Sequence, residues 1–408
     1  MSRIVLGVAG GIAAYKACEV LRRLRAADHD VTVVPTESAL QFVGTATWAA
    51  LSGHPVSTSV WDDAASVPHV RLGQRADLVL VAPATADLLA RAAAGRADDL
   101  LTNVLLTAHC PVVFLPAMHT EMWQHAATRA NVAILRARGD VVVDPDSGRL
   151  TGADSGPGRL PEPAEIVAVA ATVLARPAIA SQLAARDMAG QRVSVSAGGT
   201  REHLDPVRYL GNMSSGLMGY ALARAAVLRG AVVHLVAANV ALPAPAGTEV
   251  ETVGSTSELA EAMTRCAQEA DLVVMAAAPA DFTPATSSAT KIKKQSDSMG
   301  LELALVQTPD VLAALVASRR DPAQVLVGFA AETPTTEHSL LELGQAKLAR
   351  KGCDLLVLNP VGHGRAFGQP DNEITLITAD SVRGPIVGGK DTLAHDIWDA
   401  ALELRARR

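Results

Sequence analysis

The sequence is poor in cysteine and has no long apolar run. Only four of its 408 residues are cysteine, and none are in a CxxC spacing. This pattern argues against a disulfide framework or a zinc ribbon, and it favours reduced thiols. The longest uncharged apolar stretch, residues 166–175, is too short to cross a bilayer. The first residues lead directly into an apolar strand, so we expect no signal peptide, no membrane partner and a cytoplasmic location.

The sequence also has few aromatic residues and only a small net charge. Aromatic residues make up 3% of the chain and the net charge is −6, a balance that argues against a general nucleic-acid binder. By contrast, 49% of the residues are apolar, with Ala, Val and Leu dominating, and 19% are charged. This composition is that of a compact globular protein, and a length of 408 residues predicts two or three domains.

Short apolar runs alternate with helix-period stretches along the chain, in two series. The first series is RIVLGV, VTVVPT, DLVLVAPAT, VVFLPAM and VVVDP, and the second is RVSVSAGG, VVHLVAA, LVVMAAAPAD, VLVGFAAET and LLVLNP. Such alternation predicts parallel sheets covered by helices on both faces, with ligands at the carboxyl ends of the strands. We therefore predict an α/β protein with two Rossmann-like domains, at residues 1–178 and 191–408, joined by a linker at 179–190.

Polar residues follow successive strands of the first series. Gly10 and Gly11 lie between a strand and a helix, where backbone N–H groups and the helix dipole can hold a phosphate. The run GVAGGIA does not fit GxGxxG, so a standard NAD site is not indicated. Thr36, Ser38 and Thr85 also come at or just after strand ends, and their hydroxyls could converge on the same phosphate.

Two histidines of this half are candidates for proton transfer. His69 lies in SVPHVRLGQ, and His119 follows Met118 after a buried strand. A single histidine is more often structural than catalytic. Two imidazoles facing one crevice, however, suit acid–base chemistry near neutral pH.

The segments GGIAAYK, APATADLLARAAAGRADDLL and PAMHTEMW, with the one around His69, resemble the flavin-containing cysteine decarboxylases, and phosphopantothenoylcysteine decarboxylases most of all. The resemblance implies a flavodoxin-like sheet and His69 as the catalytic base. In this chemistry the substrate thiol is oxidised to a thioaldehyde, carbon dioxide leaves, and the flavin returns its hydride. The residues implied to bind FMN are Gly10, Gly11, Thr36, Ser38, Thr85 and Met118.

The sequence departs from this family at two places. His119 occupies the position of an asparagine that orients the substrate carboxylate, and Gly152 occupies that of a proton-donating cysteine. Asp154, water or His119 are the candidates for the missing acid. An alternative interpretation is that the flavin domain is regulatory and has little decarboxylase activity.

The second half contains a dense polar segment, SAGGTREHLDPVRYLGNMSSGLMG, directly after a strand. It carries Arg208, Asn212, Ser214 and Ser215, and its turn precedes a helix whose N–H groups could receive an anion. For the serines, ordinary helix capping is the alternative.

Cationic and acidic residues follow the later strands. Lys291 begins KIKK within a segment, residues 282–300, that looks like a mobile loop. Pro309 is predicted at the first position of a helix, and Lys347 and Lys351 share a helix face. Lysines near helix N-termini fit a triphosphate and acidic residues fit Mg²⁺, although the P-loop pattern is absent.

The segments DPVRYLGNMSSGLMG, KIKK, TPDVL and GFAAET closely resemble phosphopantothenate–cysteine ligases. The resemblance implies that CTP activates phosphopantothenate as an acyl-cytidylate, with loss of pyrophosphate, and that the cysteine amine then displaces CMP. Arg208 and Asn212, with Ser214 and Ser215, would bind the substrate, and Asp281 is a candidate Mg²⁺ ligand. The residues implied to bind CTP are Asp281, Lys291, Pro309, Asp310, Val311, Leu312, Phe329, Lys347 and Lys351.

The two resemblances together imply a bifunctional enzyme of coenzyme A biosynthesis. They also imply a homo-oligomer, with trimers formed through the first domain and dimers through the second.

Overall fold

The computed structural model describes residues 1–61, 67–150, 154–293, 301–334, 338–362, 368–369 and 371–408. The chain divides into two compact units, Met1–Asp187 and Met188–Arg408. This division falls inside the segment predicted as a linker, whose first residues are helical. Within the described residues, no helix has the length and apolar character needed to span a membrane.

The first unit contains seven of the described strands. They are β1 (Arg3–Val8), β2 (Asp30–Pro35), β3 (Leu78–Ala84), β4 (Val112–Pro116), β5 (Val141–Val142), β6 (Asp146–Arg149) and β7 (Ser155–Arg159). A short 3-10 helix covers Glu37–Gln41. The α-helices are α1 (Ala14–Ala26), α2 (Thr45–Ser52), α3 (Pro68–Arg75), α4 (Ala86–Ala93), α5 (Leu100–Thr107), α6 (Thr120–Gln124), α7 (Ala126–Ala137), α8 (Pro163–Ala175) and α9 (Ile179–Ala185).

The main sheet of this unit is parallel, in the order β2-β1-β3-β4-β5. All seven residues of β3 are buried, because helices cover both faces and no strand face meets water. The strand order reverses between β1 and β3, which places a crevice at their carboxyl ends. The predicted α/β class is confirmed, and the order is that of a flavodoxin-like sheet. Strands β6 and β7 form a separate antiparallel hairpin.

The second unit contains strands β8 (Arg192–Gly198), β9 (Glu202–His203), β10 (Tyr209–Leu210), β11 (Val232–Ala238), β12 (Thr248–Val253), β13 (Leu272–Met275), β14 (Phe282–Pro284), β15 (Leu305–Gln307), β16 (Val325–Glu332), β17 (Leu355–Pro360), β18 (Asp371–Ile377) and β19 (Val382–Gly389). Its helices are α10 (Leu217–Leu228), α11 (Thr256–Ala267), α12 (Val311–Ala317), α13 (Leu340–Lys351) and α14 (Lys390–Ala406).

The sheet of the second unit has the order β12-β11-β8-β13-β16-β17-β18-β19. The five predicted apolar runs form its parallel centre, whereas β18 and β19 are antiparallel at one edge. Antiparallel neighbours need only a short connection, here residues 378–381, so they carry no intervening helix to signal them in the sequence. The loop predicted at 282–300 contributes β14, which pairs with β15. Residues 294–300 of that loop lie outside the described chain.

Candidate functional sites

The loops after β1, β2 and β3 meet at one edge of the first sheet. A Cβ atom built on Gly10 would lie 2.4 Å from the Cβ of Ser38, closer than real side chains approach. A Cβ on Gly11 would lie 3.5 Å from the Cγ2 of Thr85, an ordinary contact. The structure therefore brings Gly10, Gly11, Ser38 and Thr85 together at the N-terminus of α1, in an arrangement that fits a phosphate. We call these four residues the phosphate cradle.

Two threonine hydroxyls near the phosphate cradle also cap helices. The Oγ1 of Thr36 accepts a hydrogen bond from the Ala39 N–H, and that of Thr85 accepts one from the Leu88 N–H, each at 3.3 Å. A hydroxyl that accepts in this way keeps its own proton to donate. Thr85 is half-buried and has that proton available at the crevice, whereas Thr36 is 5% exposed. The side-chain hydrogen bond found for Thr36 is therefore the capping bond, and its binding of FMN stays a prediction.

The β6–β7 hairpin packs on the loop that carries Met118. The Met118 N–H donates to the Gly158 carbonyl at 2.9 Å. Gly158 has a φ of +151°, and a Cβ on it would lie 2.1 Å from the Met118 carbonyl oxygen. Only glycine permits this approach. The hairpin and the Met118 segment therefore form one structure beside His119, which is exposed and begins α6.

Asp154 lies at the tip of the same hairpin. It is exposed, and its carbonyl accepts a hydrogen bond from the Leu150 N–H at 2.8 Å. Gly152, which occupies the position of the family cysteine, lies outside the described residues. Asp154 thus shares the hairpin with Gly158, and its role as an acid stays a prediction.

His69 lies in the first turn of α3 and contacts α5. Its carbonyl accepts a hydrogen bond from Thr107 Oγ1 at 2.9 Å. A Cβ on Gly73 would lie 2.3 Å from that Thr107 Oγ1 atom. Its Nδ1 is buried, without a hydrogen-bond partner in the described part of the chain. The contacts found for His69 are therefore with α5 and not with the phosphate cradle.

A charged cluster that sequence reasoning missed links α1 to the hairpin. Lys16, in the first turn of α1, donates to Glu162 Oε1 at 3.1 Å, and Arg159 at the end of β7 contacts the same carboxylate. Partial burial raises the pKa of Glu162, but the two cations outweigh burial, and the pKa lies below its usual value. The available signal was the lysine that directly follows GGIAAY.

The second unit has a cavity of about 790 Å³ that collects most of the predicted ligase residues. Those lining it are Asn212, Ser214, Ser215, Asp281, Pro309, Asp310, Val311, Leu312, Phe329, Lys347 and Lys351. We call this space the ligase cavity. It lies at the carboxyl ends of the parallel strands, as the fold predicts.

The lysines of α13 are held by carboxylates at the ligase cavity. The Lys347 Nζ donates to Glu332 Oε1 at 2.8 Å, and Lys351 contacts Asp310. Partial burial raises the pKa of Asp310. Its hydrogen bonds to Lys351 and to the Ala313 N–H lower the pKa by more than burial raises it, so the pKa lies below its usual value. Each lysine is therefore oriented toward the cavity rather than free in solvent.

Helix α12 begins differently from the prediction. Asp310 is its N-cap, and the carboxylate accepts a hydrogen bond from the Ala313 N–H at 3.1 Å. The helix then starts at Val311, and Pro309 precedes the cap. The expectation that Pro309 is the first helical residue is wrong, because the carboxylate of Asp310 is the better cap.

Asn212 anchors the turn that precedes α10. Its side-chain amide donates to the Pro279 carbonyl at 2.8 Å, next to the segment that leads to Asp281. Gly216 is the N-cap with a φ of +78°, and no side chain of the described residues caps the helix. The first N–H groups of this 12-residue helix therefore lie open at the ligase cavity.

Arg208 and Lys291 do not line the ligase cavity but lie near each other. Arg208 donates through Nη1 to Asp205 Oδ2 at 2.8 Å and to the Ile292 carbonyl at 3.0 Å. The Asp205 side chain is 0% exposed. Burial raises its pKa, but N–H groups of Val207, Arg208 and Ile292 and the guanidinium outweigh burial, and the pKa lies below normal. Asp205 thus ties Arg208 to the KIKK segment, of which residue 294 is outside the described chain.

Six further polar residues of the ligase cavity were not predicted as site residues. They are Gln307, Thr308, Arg350, Asn359, Asn372 and Lys390. Lys390 is 8% exposed, burial lowers its pKa, and its Nζ donates to the Gln369 carbonyl. Asn359 ends the apolar run LLVLNP, a position that could have identified it.

Comparison with known proteins gives matches to both units. Residues 1–175 match the family described as "Flavoprotein", and residues 188–404 match "DNA/pantothenate metabolism flavoprotein C-terminal domain". The chain is 57% identical to the coenzyme A biosynthesis bifunctional protein CoaBC of Mycolicibacterium smegmatis, over 96% of this chain and 94% of that protein. It is 42% identical to the protein of the same name from Vibrio cholerae, over 97% and 96%. A crystal structure of the C-terminal domain of a CoaBC protein is 29% identical, covering 54% of this chain and all of that one, with a TM-score of 0.45.

Proposed function

The chain belongs to the family of bifunctional coenzyme A biosynthesis proteins, and from this we propose how its two units divide the reactions. It is both a phosphopantothenate–cysteine ligase and a flavin-dependent phosphopantothenoylcysteine decarboxylase. The ligase belongs to the second unit and the decarboxylase to the first. The alternative interpretation, a regulatory flavin domain with little activity, is not supported by this membership.

The observation that carries the ligase assignment is the ligase cavity. Two lysines on α13 and the open N-terminus of α10 line the same space, and both favour an anion as large as a nucleoside triphosphate. We assign CTP as that nucleotide. The substrate carboxylate attacks the α-phosphorus, pyrophosphate leaves, and the cysteine amine then displaces CMP from the acyl-cytidylate.

Six residues of the cavity have proposed parts in this reaction. Lys347 and Lys351 offset the charge that builds on the phosphates, and their acidic partners hold them in place. Asn212, with Ser214 and Ser215, binds the acyl substrate at the turn before α10. Mg²⁺ is the expected counter-ion of the triphosphate, and the exposed Asp281 carboxylate, an oxygen ligand, fits it.

The phosphate cradle fits the phosphate of FMN. Gly10 allows the close approach of Ser38, and Thr85 has a hydroxyl proton to donate. When bound, FMN supplies a reversible hydride acceptor for the substrate thiol. Around it, Met118 holds the hairpin through Gly158, His119 would orient the substrate carboxylate, and Asp154 is the candidate acid.

His69 completes the decarboxylase from another copy of the chain. Its hydrogen bond to α5 is made by the backbone carbonyl, and its Nδ1 has no hydrogen-bond partner among the described residues, so the imidazole is available to a neighbouring copy. We assign the first unit to a homotrimer in which His69 acts at the flavin of a neighbouring copy, and the second unit to a dimer.

The decisive experiment follows the two products separately. Full-length protein receives phosphopantothenate, cysteine, Mg²⁺ and one of CTP, ATP, GTP or UTP, while pyrophosphate and carbon dioxide are measured. We expect cysteine-dependent pyrophosphate, followed by carbon dioxide, with CTP. Pyrophosphate without carbon dioxide would reject the decarboxylase, and an equal rate with ATP would reject the choice of nucleotide.

Mixing two inactive variants tests the contribution of His69. His69→Asn and Gly10→Ala proteins are dissociated together and reassembled. If His69 serves a neighbouring flavin, the mixed oligomers recover part of the decarboxylase rate, whereas each variant alone recovers none. No recovery in verified mixed oligomers would place His69 at its own flavin.

A further inference from the structure

One cluster of metal-ligand side chains lies outside both sites, at the edge of the second sheet. His234 on β11, Glu251 on β12 and Cys266 on α11 each offer a ligand atom, and these atoms all lie within 4.8 Å of one another. In the register of the strands, His234 pairs with Glu249, and Glu251 lies two residues further on the same face. An imidazole, a carboxylate and a thiol thus converge near the last turn of α11.

The distances are close to those of a tetrahedral metal site. The Nε2 of His234 lies 3.5 Å from the Oε2 of Glu251. Around a zinc ion, bonds of about 2.0–2.3 Å at tetrahedral angles place ligand atoms roughly 3.3–3.8 Å apart. The imidazole and the carboxylate already have this spacing, and the thiol needs a shift of about 1 Å at most to join them.

The imidazole nitrogen of His234 that faces Glu251 is available to bind a metal. His234 Nε2 is buried and makes no hydrogen bond within the described part of the chain. The other ring nitrogen, Nδ1, lies 3.7 Å from Glu249 Oε2. A small shift of the exposed Glu249 side chain would bring its carboxylate within hydrogen-bond distance of Nδ1, the contact that orients metal-binding histidines and fixes their tautomer.

The charged groups around the cluster have a net negative charge that a divalent cation can balance. Arg265 donates through Nη2 to Glu251 Oε1 at 2.6 Å, which fixes the carboxylate with Oε2 toward the histidine. With the thiol ionised, Cys266, Glu249 and Glu251 contribute three negative charges and Arg265 one positive charge. The net charge of −2 is the one that a divalent cation neutralises.

We propose that His234, Glu251 and Cys266 bind one transition-metal dication of the Zn²⁺ class. On binding, the Cys266 thiol forms the metal–sulfur bond and releases its proton to solvent, and water completes the coordination. His234 is the third residue of β11, whereas the ligase cavity lies at the carboxyl ends of the strands. The ion therefore ties the edge strand β12 to α11 and takes no part in ligation.

Cobalt(II) is the probe for this site. Metal-free full-length protein is titrated with Co²⁺, and absorption is followed at wavelengths longer than those of the flavin. We expect tetrahedral d–d bands that saturate at one equivalent and disappear when Zn²⁺ is added. An excess of Mg²⁺ should leave the bands unchanged, which separates this site from the metal of the ligase reaction.

Variants identify the ligands. Cys266→Ser should abolish the bands, and His234→Gln should weaken Co²⁺ binding at least tenfold. Cys110→Ser, which removes a half-buried thiol of the first unit, is the matched control and should leave the titration unchanged. If His234→Gln does not fold, Glu251→Gln provides the same measurement.

The proposal is wrong if wild-type protein shows no such bands, or if they persist in Cys266→Ser. Either result would leave the two enzyme activities untouched, because neither site includes these residues.

Discussion

The two units differ in how they arrange the residues that their sequences predict. In the second unit, one cavity collects most of the predicted substrate and nucleotide ligands, and its lysines are already held by carboxylates. In the first unit, the phosphate cradle forms, but His69 lies against α5. The predicted ligand-binding surface of the second unit thus forms within one chain, whereas we propose that an acid–base group of the first unit acts in a neighbouring copy.

The contrast has a physical basis in the two sheets. In both units the parallel strands bring their carboxyl ends to one edge, so residues just after strands meet there. His69 instead lies at the start of a helix that precedes its strand, and the packing of Gly73 on Thr107 decides its position. Four changes test how far this difference extends.

The largest effect is expected from Gly10→Ala. The added Cβ would lie 2.4 Å from the Cβ of Ser38, so the phosphate cradle must open. Overpacking of this kind costs about 1–3 kcal/mol or more, and we expect FMN affinity to fall by about 100-fold. Flavin retained on purification and fluorescence titration with FMN provide the measurement.

Gly44→Ala is the control, because a Cβ there meets nothing within 4 Å. Unchanged FMN affinity in Gly10→Ala would contradict the cradle, and unchanged ligation in both variants would confirm that the effect is local to the first unit.

Lys347→Ala tests the ligase cavity in the same way. The variant loses a charged donor to the phosphates and leaves Glu332 without its 2.8 Å partner. Charged hydrogen bonds contribute about 1.5–3 kcal/mol, so the KM for CTP should rise roughly 10- to 100-fold. Steady-state release of pyrophosphate measures this. The decarboxylase rate of the same protein is the control, and a normal KM would remove Lys347 from the nucleotide site.

Asp205→Asn examines the part of the second unit that lies outside the cavity. The amide keeps one oxygen for Val207 and Arg208 N–H groups but presents a donor where Arg208 Nη1 and Ile292 N–H need an acceptor. Two donors thus lose their acceptor, and the KM for phosphopantothenate should rise about tenfold.

The lowered pKa of Asp205 fixes the direction in which its stabilising contribution changes with pH. The pKa of Asp205 is lower in the folded state than in the unfolded state. The ionised carboxylate therefore stabilises the fold fully above the unfolded-state pKa, and this stabilisation is lost as the pH falls through the folded-state pKa. Wild-type ligation should therefore keep this contribution throughout the neutral range. Asp321→Asn, which alters a cap on an exposed turn, is the matched control.

The smallest effect concerns stability in the first unit. Burial raises the pKa of Asp140 to about 6, so the folded state holds a proton that the unfolded state releases between about pH 4 and 6. Stability therefore falls as pH rises through this window. Asp140→Asn removes the penalty and should stabilise the unit at pH 7 by about 1–2 kcal/mol, allowing for partial exposure.

Thermal release of flavin between about pH 4 and pH 7, a range that includes this window, measures the change. The control Asp28→Asn lies in the turn after α1 of the same unit. An identical pH slope in wild-type and Asp140→Asn proteins would contradict the assignment.

The sequence was informative wherever a residue follows an apolar strand. RIVLGV, VTVVPT and DLVLVAPAT predicted the strands that lead to Gly10, Ser38 and Thr85, and the structure brings these residues together. It was less informative where elements are short. The hairpins β9–β10 and β14–β15 have two or three residues per strand, too few to show a period of two.

Residues selected by their partners could not be found in this way. Asp205 and Glu162 are ordinary carboxylates in the sequence, and their importance follows from the arginine and lysine donors that folding brings to them. The same holds for Lys390, which follows a strand of mixed character and yet reaches the ligase cavity.

By itself the sequence determined the α/β class, the two series of strands and most residues that meet at strand ends, because local apolar pattern and chain direction fix these. Only the tertiary structure decided that His69 packs on α5, that Asp310 caps α12 so that the helix starts at Val311, and that His234, Glu251 and Cys266 converge. Each of these depends on contacts between elements far apart in the chain, or on a competition between neighbouring groups that composition and periodicity do not record.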